Sequence, residues 1–415
     1  MLGLSQSFEI VCFGFFLLGF MFGVKDSATS IYVSEISETS FRGTLMALAP
    51  LSHGLGNVLV YLMGTFLSWH RVALICAAVP VLTMIAISLV PESPNWLLSK
   101  DRPKEALKAM QWLRGWVSPQ AVQEEFSKLQ NYSDQSTACI LCTKQSLKCY
   151  HPKSTLSDKV KELTRKRNIK PFILVFFLDL FMELSNAKVW RPYIIQVLKA
   201  YGMPVGANVM TVILSVLTFL AQISFMLTVK RVGKRRIYLT TTFVVMLSSM
   251  GLYIYGLIFF PSNWTSFNHS NSPEDFEAIR QSVGNFGYFA LAFLLVMQFF
   301  NNMALANVPH VVLGELFPFK LRSFLCGLAI ALRFLIASFA TKTYYDIEMW
   351  FSLNGATLFY GLTTLIGLIT MYFILPETEN RSLEDIELHY SDNSKGIADI
   401  NIRISSKNIN TTEEL

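Results

Sequence analysis

The sequence predicts an all-α membrane protein that crosses the bilayer several times, and three observations support this fold class. Charged residues make up 15% of the 415 residues, whereas soluble domains carry about 25%. Hydrophobic residues reach 52%, and the 33 phenylalanines exceed what a soluble core requires. Several mostly apolar stretches are also about 20 residues long, which is the length that crosses the hydrocarbon core of a bilayer.

Nine stretches meet this length criterion and define the predicted spans. They cover residues 8–33, 44–68, 72–91, 171–196, 206–229, 237–260, 285–313, 324–345 and 352–375. Basic residues concentrate in alternate connections, with fifteen Lys and Arg residues in 92–170 and the segment KRVGKRR at 230–236. The positive-inside rule places these connections and the C-terminus in the cytoplasm, and the N-terminus outside. The net charge of +6 therefore reflects topology, and no nucleic-acid partner is predicted.

Two connections carry candidate modification or metal sites. The connection 261–284, predicted to be external, contains acceptor sequons at Asn263 and Asn268, which predict N-glycosylation. In the cytoplasmic connection 92–170, three cysteines and a histidine are closely spaced, namely Cys139, Cys142, Cys149 and His151. Three thiolates and an imidazole suit a tetrahedral structural zinc ion, the only cofactor considered, and reduced free thiols are the alternative.

An internal repeat relates the first three spans to the last three. An acidic residue precedes a basic residue by seven positions after span one (Glu35, Arg42) and after span seven (Glu315, Arg322). Each pair is followed by two spans and a Pro-Glu segment, PESPNWLL or PETENRSLEDIE. Spans four to six have no such counterpart. Internal symmetry of this kind is typical of membrane transporters, so we expect three further spans to precede residue 1.

These motifs resemble those of a known family. Their order resembles that in the sugar-porter family of the major facilitator superfamily. The motifs are YVSEI, PESPNWLL, KRVGKRR, GELFP and PETENRSLEDIE. WLRGWV, RPYIIQVLKAYG and ATKTYY resemble its insect members described as facilitated trehalose transporter-like. The resemblance covers residues ~8–390. It implies the twelve-helix major facilitator superfamily fold, of which this chain would hold helices four to twelve.

The resemblance also implies a division of the chain and a location. The expected parts are a truncated N-terminal bundle of three helices (1–96), a cytoplasmic linker with short helices (97–170), a C-terminal six-helix bundle (171–378) and a cytoplasmic tail (379–415). In the linker, DRPKEALKAMQWLRG has the apolar spacing of an amphipathic helix. The expected location is the plasma membrane, which the chain crosses several times.

Charged residues near the cytoplasmic ends of the spans are predicted to form a gate. In the family, residues at these positions form an inner salt-bridge network that holds the two halves together while the pathway is open outward. The matching positions and their neighbours are Glu35, Arg42, Glu92, Arg231, Lys234, Arg235, Glu315, Arg322 and Glu377. The alternative is that these charges only set the topology, as the positive-inside rule describes.

The stretch ELSNAKVWRPY at 183–193 places three charges in span four. A charge near the bilayer centre costs about 3 kcal/mol or more, so such residues normally face a cavity or pair with each other. The family carries a Gln-Gln-Leu-Ser-Gly-x-Asn motif here that hydrogen-bonds sugar hydroxyls, and only Leu184 and Ser185 match it. The predicted substrate pathway consists of Glu183, Ser185, Asn186, Lys188, Arg191, Thr218, Asn302, His310 and Arg333.

Two interpretations of the charges in this pathway stay open. In one, Glu183 and Asn186 accept hydrogen bonds from substrate hydroxyls, while the cations orient a polyol or attract an anion. In the other, Glu183 pairs with Lys188, or Asp179 pairs with Arg333, across packed helices.

The resemblance implies transport of a sugar, such as trehalose or a hexose, by alternating access. Uniport and proton symport both stay open. Asp26 in the first span is the only carboxylate considered for proton coupling, and a structural role is favoured. If the three missing helices normally pack there, Asp26 and its neighbour Lys25 are expected to be partly exposed to lipid.

Other classes of function have less support in the sequence. It contains no P-loop, nucleophile elbow or HExxH motif, so no enzyme is predicted. The expected partners are a small sugar and the lipid bilayer. The alternatives are a transport-inactive sensor or regulator, and a carrier of an organic anion, which Arg333 and His310 favour.

Overall fold

The computed structural model describes residues 7–37, 42–137, 166–267, 273–317, 321–379, 381, 383–391, 399 and 402. The side chains of some helical residues, including Arg42 and Asn186, lie outside this description. The predicted zinc ligands Cys139, Cys142, Cys149 and His151 and the sequon residue Asn268 also lie outside the described residues. The described part of the chain forms helices and turns without strands, which confirms the all-α prediction.

The helices fall into an N-terminal group, a group of short helices and a C-terminal group. The first group consists of α1 (Phe8–Ile36), α2 (Arg42–Met46), α3 (Leu48–Phe66), α4 (Trp69–Cys76) and α5 (Ala78–Ser88). The short helices are α6 (Pro94–Ser99), α7 (Pro103–Leu113) and α8 (Pro119–Thr137). The C-terminal group comprises α9 (Lys166–Glu183), α10 (Asn186–Val189), α11 (Ile194–Ala200), α12 (Ala207–Val232), α13 (Lys234–Phe259), α14 (Pro273–Val283), α15 (Gly287–Phe300), α16 (Asn307–Leu316), α17 (Arg322–Ile374) and α18 (Leu383–Ser391).

Seven helices of the described chain are long and apolar enough to cross a membrane, against nine predicted spans. One difference arises because α17 contains both the eighth and the ninth predicted spans, bent at Ser352, where φ is 65°. The other arises because the fourth predicted span is divided into α9, α10, a 3₁₀ turn (Arg191–Tyr193) and α11. Pro192 lies at this division and has no backbone N–H to continue the helical hydrogen bonds. Both differences are therefore helix bends or breaks, and no predicted apolar stretch is lost.

The N-terminal helices expose large apolar faces. The most apolar window of Trp69–Ser88 has a mean hydropathy of 2.1, and none of it is buried. Phe15, Phe16 and Leu82, for example, are more than half exposed. Apolar side chains that face lipid hydrocarbon carry no penalty for exposure to water. These faces therefore agree with the predicted class of membrane protein.

The linker helices form a small apolar core of their own. α6 and α7 each have a proline in their first turn, where its missing N–H is not needed. Ala106, Ala109 and Met110 are buried on one face of α7 against Val122 and Phe126 of α8. The predicted amphipathic helix is thus confirmed, with its apolar face covered by the next helix.

The C-terminal group has a contiguous buried core that extends beyond the last apolar span. Ile386 and Tyr390 of α18 belong to this core and are almost completely buried. The first part of the expected cytoplasmic tail therefore packs against the C-terminal bundle.

A buried carboxylate fastens the connection after α13 to the bend of α17. Glu348 is 0% exposed, and its Oε1 accepts hydrogen bonds from the backbone N–H (2.5 Å) and the hydroxyl (2.6 Å) of Ser266. Next to this contact, the backbone N–H of Leu353 donates to the carbonyl of Trp264 (2.8 Å). The indole N–H of Trp264 donates to the carbonyl of Ala200 at 2.9 Å. These bonds hold three chain segments together at one end of the bundle.

Replacement of Glu348 by alanine is expected to lower the free energy of unfolding by about 1–3 kcal/mol, because it leaves buried donors of Ser266 without an acceptor. Denaturant titration of the protein in detergent micelles measures this loss. Asp346→Asn is the matched control, since Asp346 is an exposed carboxylate on the same helix. Equal stability of the two variants would contradict the assigned role.

Candidate functional site

A cavity of about 430 Å³ lies between the N-terminal and C-terminal groups of helices. Its wall includes residues of α1, α3, the divided span α9–α11, α12, α16 and α17. This volume is within the range of about 300–1,000 Å³ that is usual for small-molecule sites. The cavity is therefore large enough for a monosaccharide-sized ligand.

The break in the fourth predicted span shapes one wall of this cavity. The chain leaves α9 at Glu183 and continues through α10 and the 3₁₀ turn, so Glu183, Lys188 and Arg191 all line the cavity. Ser185 instead packs behind the wall, where its hydroxyl lies 2.9 Å from the carbonyl of Met182 and 3.0 Å from Oδ1 of Asn301. Its predicted place on the pathway is wrong, because these contacts bury it completely.

Most of the predicted pathway residues lie together around the cavity. Those that line it are Glu183, Lys188, Arg191, Thr218, Asn302, His310 and Arg333. The side chain of Asn186 lies outside the described part of the structure. The wall combines charges with amide and hydroxyl groups, which are the groups that fix the orientation of polar ligands.

An ion pair joins the two groups of helices across the cavity. The guanidinium of Arg333 on α17 donates to Oδ2 of Asp26 on α1, and both residues are mostly buried. Another guanidinium nitrogen lies 3.0 Å from Nδ1 of His310. Because a guanidinium only donates, Nδ1 of His310 accepts this bond and the imidazole proton lies on Nε2. Arg333, Asp26 and His310 thus form one connected polar cluster.

This cluster corrects two predictions made from the sequence. Arg333 forms its ion pair with Asp26, and not with Asp179 as one alternative supposed. Asp26 faces the cavity, whereas it was expected to be partly exposed to lipid. Among the described residues, no direct ion pair joins Glu183 to Lys188, but the charge of Glu183 attracts Lys188.

A short π-helical segment (Asn301–Leu305) adds amide groups to the wall. The side-chain amide of Asn302 donates to the carbonyl of Gln298 (2.8 Å), and that of Asn307 donates to the carbonyl of Asn302 (2.7 Å). The two side-chain amides thus donate to backbone carbonyls beside the π turn. Segments of this kind are frequent at functional sites.

A second charged cluster lies where α13 begins and α16 ends. The ammonium of Lys234 is 2.8 Å from both carboxylate oxygens of Glu315 and 3.0 Å from Oε2 of Glu379. The hydroxyl of Thr378 donates to Oε2 of Glu315 at 2.9 Å. Lys234 and Glu315 are almost completely buried. Burial raises the pKa of Glu379, although the charge of Lys234 opposes this effect.

Glu377 caps the beginning of α13 in the same cluster. Its carboxylate accepts hydrogen bonds from the backbone N–H groups of Lys234 (3.1 Å) and Arg235 (3.2 Å). A carboxylate is favoured there by the partial positive charge of a helix N-terminus. Gly233 lies against this carboxylate with a φ of 88° and has no room for a Cβ atom, which explains the glycine in KRVGKRR.

The remaining predicted gate residues have other roles. Among the described residues, Arg322 forms no ion pair with Glu315, and its Nε donates to the carbonyl of Phe317 at 3.1 Å. Glu35 accepts a hydrogen bond from the hydroxyl of Ser93 and is close enough to be attracted by Arg322. Glu92 and Arg231 are exposed, and the side chain of Arg42 is not described. The Lys234 cluster therefore links three segments of the C-terminal bundle and does not join the two halves.

The match to known families covers nearly the whole described fold. Residues 1–390 match the model of the family described as "Sugar (and other) transporter". The chain belongs to this sugar transporter family. This match confirms the family predicted from the motifs.

Relatives and solved structures agree with this membership. The chain is 26% identical to the facilitated trehalose transporter Tret1 of Drosophila erecta over 91% of its own length and 40% of the relative. It is also 26% identical to Tret1 of Polypedilum vanderplanki over 93% of its length and 70% of the relative. The chain thus spans between two fifths and about two thirds of these curated relatives.

The solved structures confirm the fold of this sugar transporter family member. The proton:xylose symporter XylE bound to 6-bromo-6-deoxy-D-glucose superposes with a TM-score of 0.67 at 16% identity, covering 88% of this chain and 70% of XylE. The inward open conformation of XylE from E. coli gives a TM-score of 0.53 at 17% identity over 86% of this chain and 68% of that one. The chain therefore has the major facilitator superfamily fold.

Several residues that line the cavity of this family member were not predicted from the sequence. They are His53, Asn57, Gln222 and Asn307, which all line the cavity. His53 and Asn57 are four residues apart in an apolar helix and so share one face, which is a signal that was present in the sequence. The side-chain amide of Gln222 occupies the space where a Cβ atom at residue 54 would lie. Gly54 of α3 therefore allows Gln222 to reach this position.

Proposed function

We propose that this chain acts in the transport of a small sugar, such as trehalose or a hexose, across a membrane by alternating access. The observation that carries the proposal is a polar cavity of about 430 Å³ between the two groups of helices in a member of the sugar transporter family. The trehalose transporters among its relatives support the substrate class. A substrate site between two helical bundles is what alternating access requires.

We further propose that the N-terminal group (1–96) and the C-terminal bundle (171–378) are the two moving units. The linker (97–170) and tail (379–415) would lie on the cytoplasmic side of the plasma membrane. The basic composition of the linker supports this orientation. Asn263 is exposed in the opposite connection, where a glycan would have space. XylE is a proton symporter, and coupling to protons is tested separately below.

Counterflow of labelled trehalose and D-glucose into proteoliposomes that contain the full chain tests this function. We expect saturable counterflow, and Asn302→Ala is expected to reduce its initial rate about threefold to tenfold by removal of one neutral hydrogen bond. Asn285→Ala is the matched control, since Asn285 is an exposed asparagine away from the cavity.

Proton symport predicts that an inward proton gradient drives accumulation of the sugar, whereas uniport predicts no such effect. Sugar binding without counterflow would favour a sensor, and absence of both would contradict the proposal.

A further inference from the structure

The charges on the cavity wall do not balance. Four cations line it, Lys25, Lys188, Arg191 and Arg333, against two carboxylates, Asp26 and Glu183. A neutral sugar has no charge to offset this excess. Excess charge of one sign in a cavity with low-dielectric walls concentrates small ligands of the opposite sign.

Only one of these cations is neutralised by a direct ion pair in the described structure. Arg333 is held by Asp26 and by His310. In contrast, none of the described ion pairs involves Lys188 or Arg191. The charge of Glu183 attracts Lys188 without a direct ion pair, so both cations can donate to a molecule in the cavity.

Lys188 and Arg191 are brought to one side of the cavity by the break in the fourth predicted span. They are three residues apart, at the end of α10 and the beginning of the 3₁₀ turn, and this spacing puts side chains on one face. Both side chains line the same cavity as Lys25 and His53. Two neighbouring cations repel each other, and a bound anion reduces this repulsion.

From this arrangement, we infer that the cavity binds a substrate with a negatively charged group, such as a sugar acid, with Lys188 and Arg191 as its anion-binding pair. The guanidinium of Arg191 offers paired donors to a carboxylate, and the ammonium of Lys188 adds a point charge. The amides of Asn57 and Asn302 on the same wall suit the hydroxyl groups of such a molecule. The inference rests on the proposed function of this cavity, transport of a small sugar, and specifies a sugar that carries an acidic group.

D-glucuronate and D-glucose form a matched pair of probes, because a carboxylate replaces the hydroxymethyl group of the same ring. In isothermal titration of the purified full chain in nanodiscs, we expect D-glucuronate to bind at least about tenfold more tightly than D-glucose, as hydrogen bonds to charged groups predict. We expect Lys188→Gln and Arg191→Gln each to lower D-glucuronate affinity about tenfold more than D-glucose affinity. Lys188→Arg should retain the preference, which distinguishes charge from loss of structure.

Lys199→Gln is the control variant, since it removes an exposed cation of the same segment that does not line the cavity. Equal affinity for both probes, or equal losses in Lys199→Gln and Arg191→Gln, would overturn the inference and leave sugar transport standing. Binding of D-glucuronate without binding of D-glucose or trehalose would support the inference and contradict neutral sugar transport. Absence of binding by every probe would overturn both.

Discussion

Replacement of Asp26 by asparagine is expected to destabilise the protein by about 3–5 kcal/mol, because it leaves the buried guanidinium of Arg333 without its carboxylate. Arg333 is only 4% exposed, so its charge is largely removed from bulk water. The loss is measured as the free energy of unfolding from denaturant titration in detergent micelles. Asp101→Asn is the matched control, since Asp101 is exposed and its φ of 59° suits asparagine equally well.

The double variant Asp26→Asn, Arg333→Met tests whether the pair or the individual residue matters. Removal of both charges is expected to restore most of the stability, because no buried charge is left unpaired. If the loss in free energy of unfolding in the double variant equals the sum of the losses in the two single variants, the ion pair does not account for the effect.

The second large effect is expected for Lys234→Met, which leaves the buried carboxylates of Glu315 and Glu379 without their shared cation. We expect a loss of about 3–5 kcal/mol in the free energy of unfolding, measured in the same way. Arg231→Met is the control, since Arg231 is an exposed cation in the last turn of the preceding helix.

Neutral partners should rescue this loss. In the variant Lys234→Met, Glu315→Gln, Glu379→Gln, no buried charge remains at the site, so stability is expected to return towards that of the unchanged protein. A Lys234→Met protein as stable as Arg231→Met would show that the cluster does not brace the bundle.

The two ion-pair sites have different consequences for the proposed transport. Of the ion pairs in the described chain, the Asp26–Arg333 pair links helices on opposite sides of the cavity. The Lys234 cluster joins segments of one bundle, so a rigid-body movement of that bundle leaves it intact. Alternating access therefore has to rearrange the first site and can preserve the second.

Much of the site was predictable from the sequence because charged residues in apolar spans are rare and costly. Seven of the nine predicted pathway residues line the cavity. Ser185 was placed wrongly because its contact with Asn301 depends on helix packing across 116 residues of chain. His53 and Asn57 were missed because a neutral amide or imidazole does not carry the free-energy cost of a charge in the bilayer. Only the spacing of the two residues indicates that they share a functional face.

Hydropathy, charge and motif order are properties of short segments, so the membrane class, the apolar spans, the basic connections and the family could be predicted from the sequence. The identity of the paired charges depends on the tertiary structure. Arg333 pairs with Asp26, 307 residues away, and Lys234 pairs with Glu315 and Glu379. The physical reason is that an ion pair needs two side chains within a few ångströms, and only the packing of distant helices brings them there.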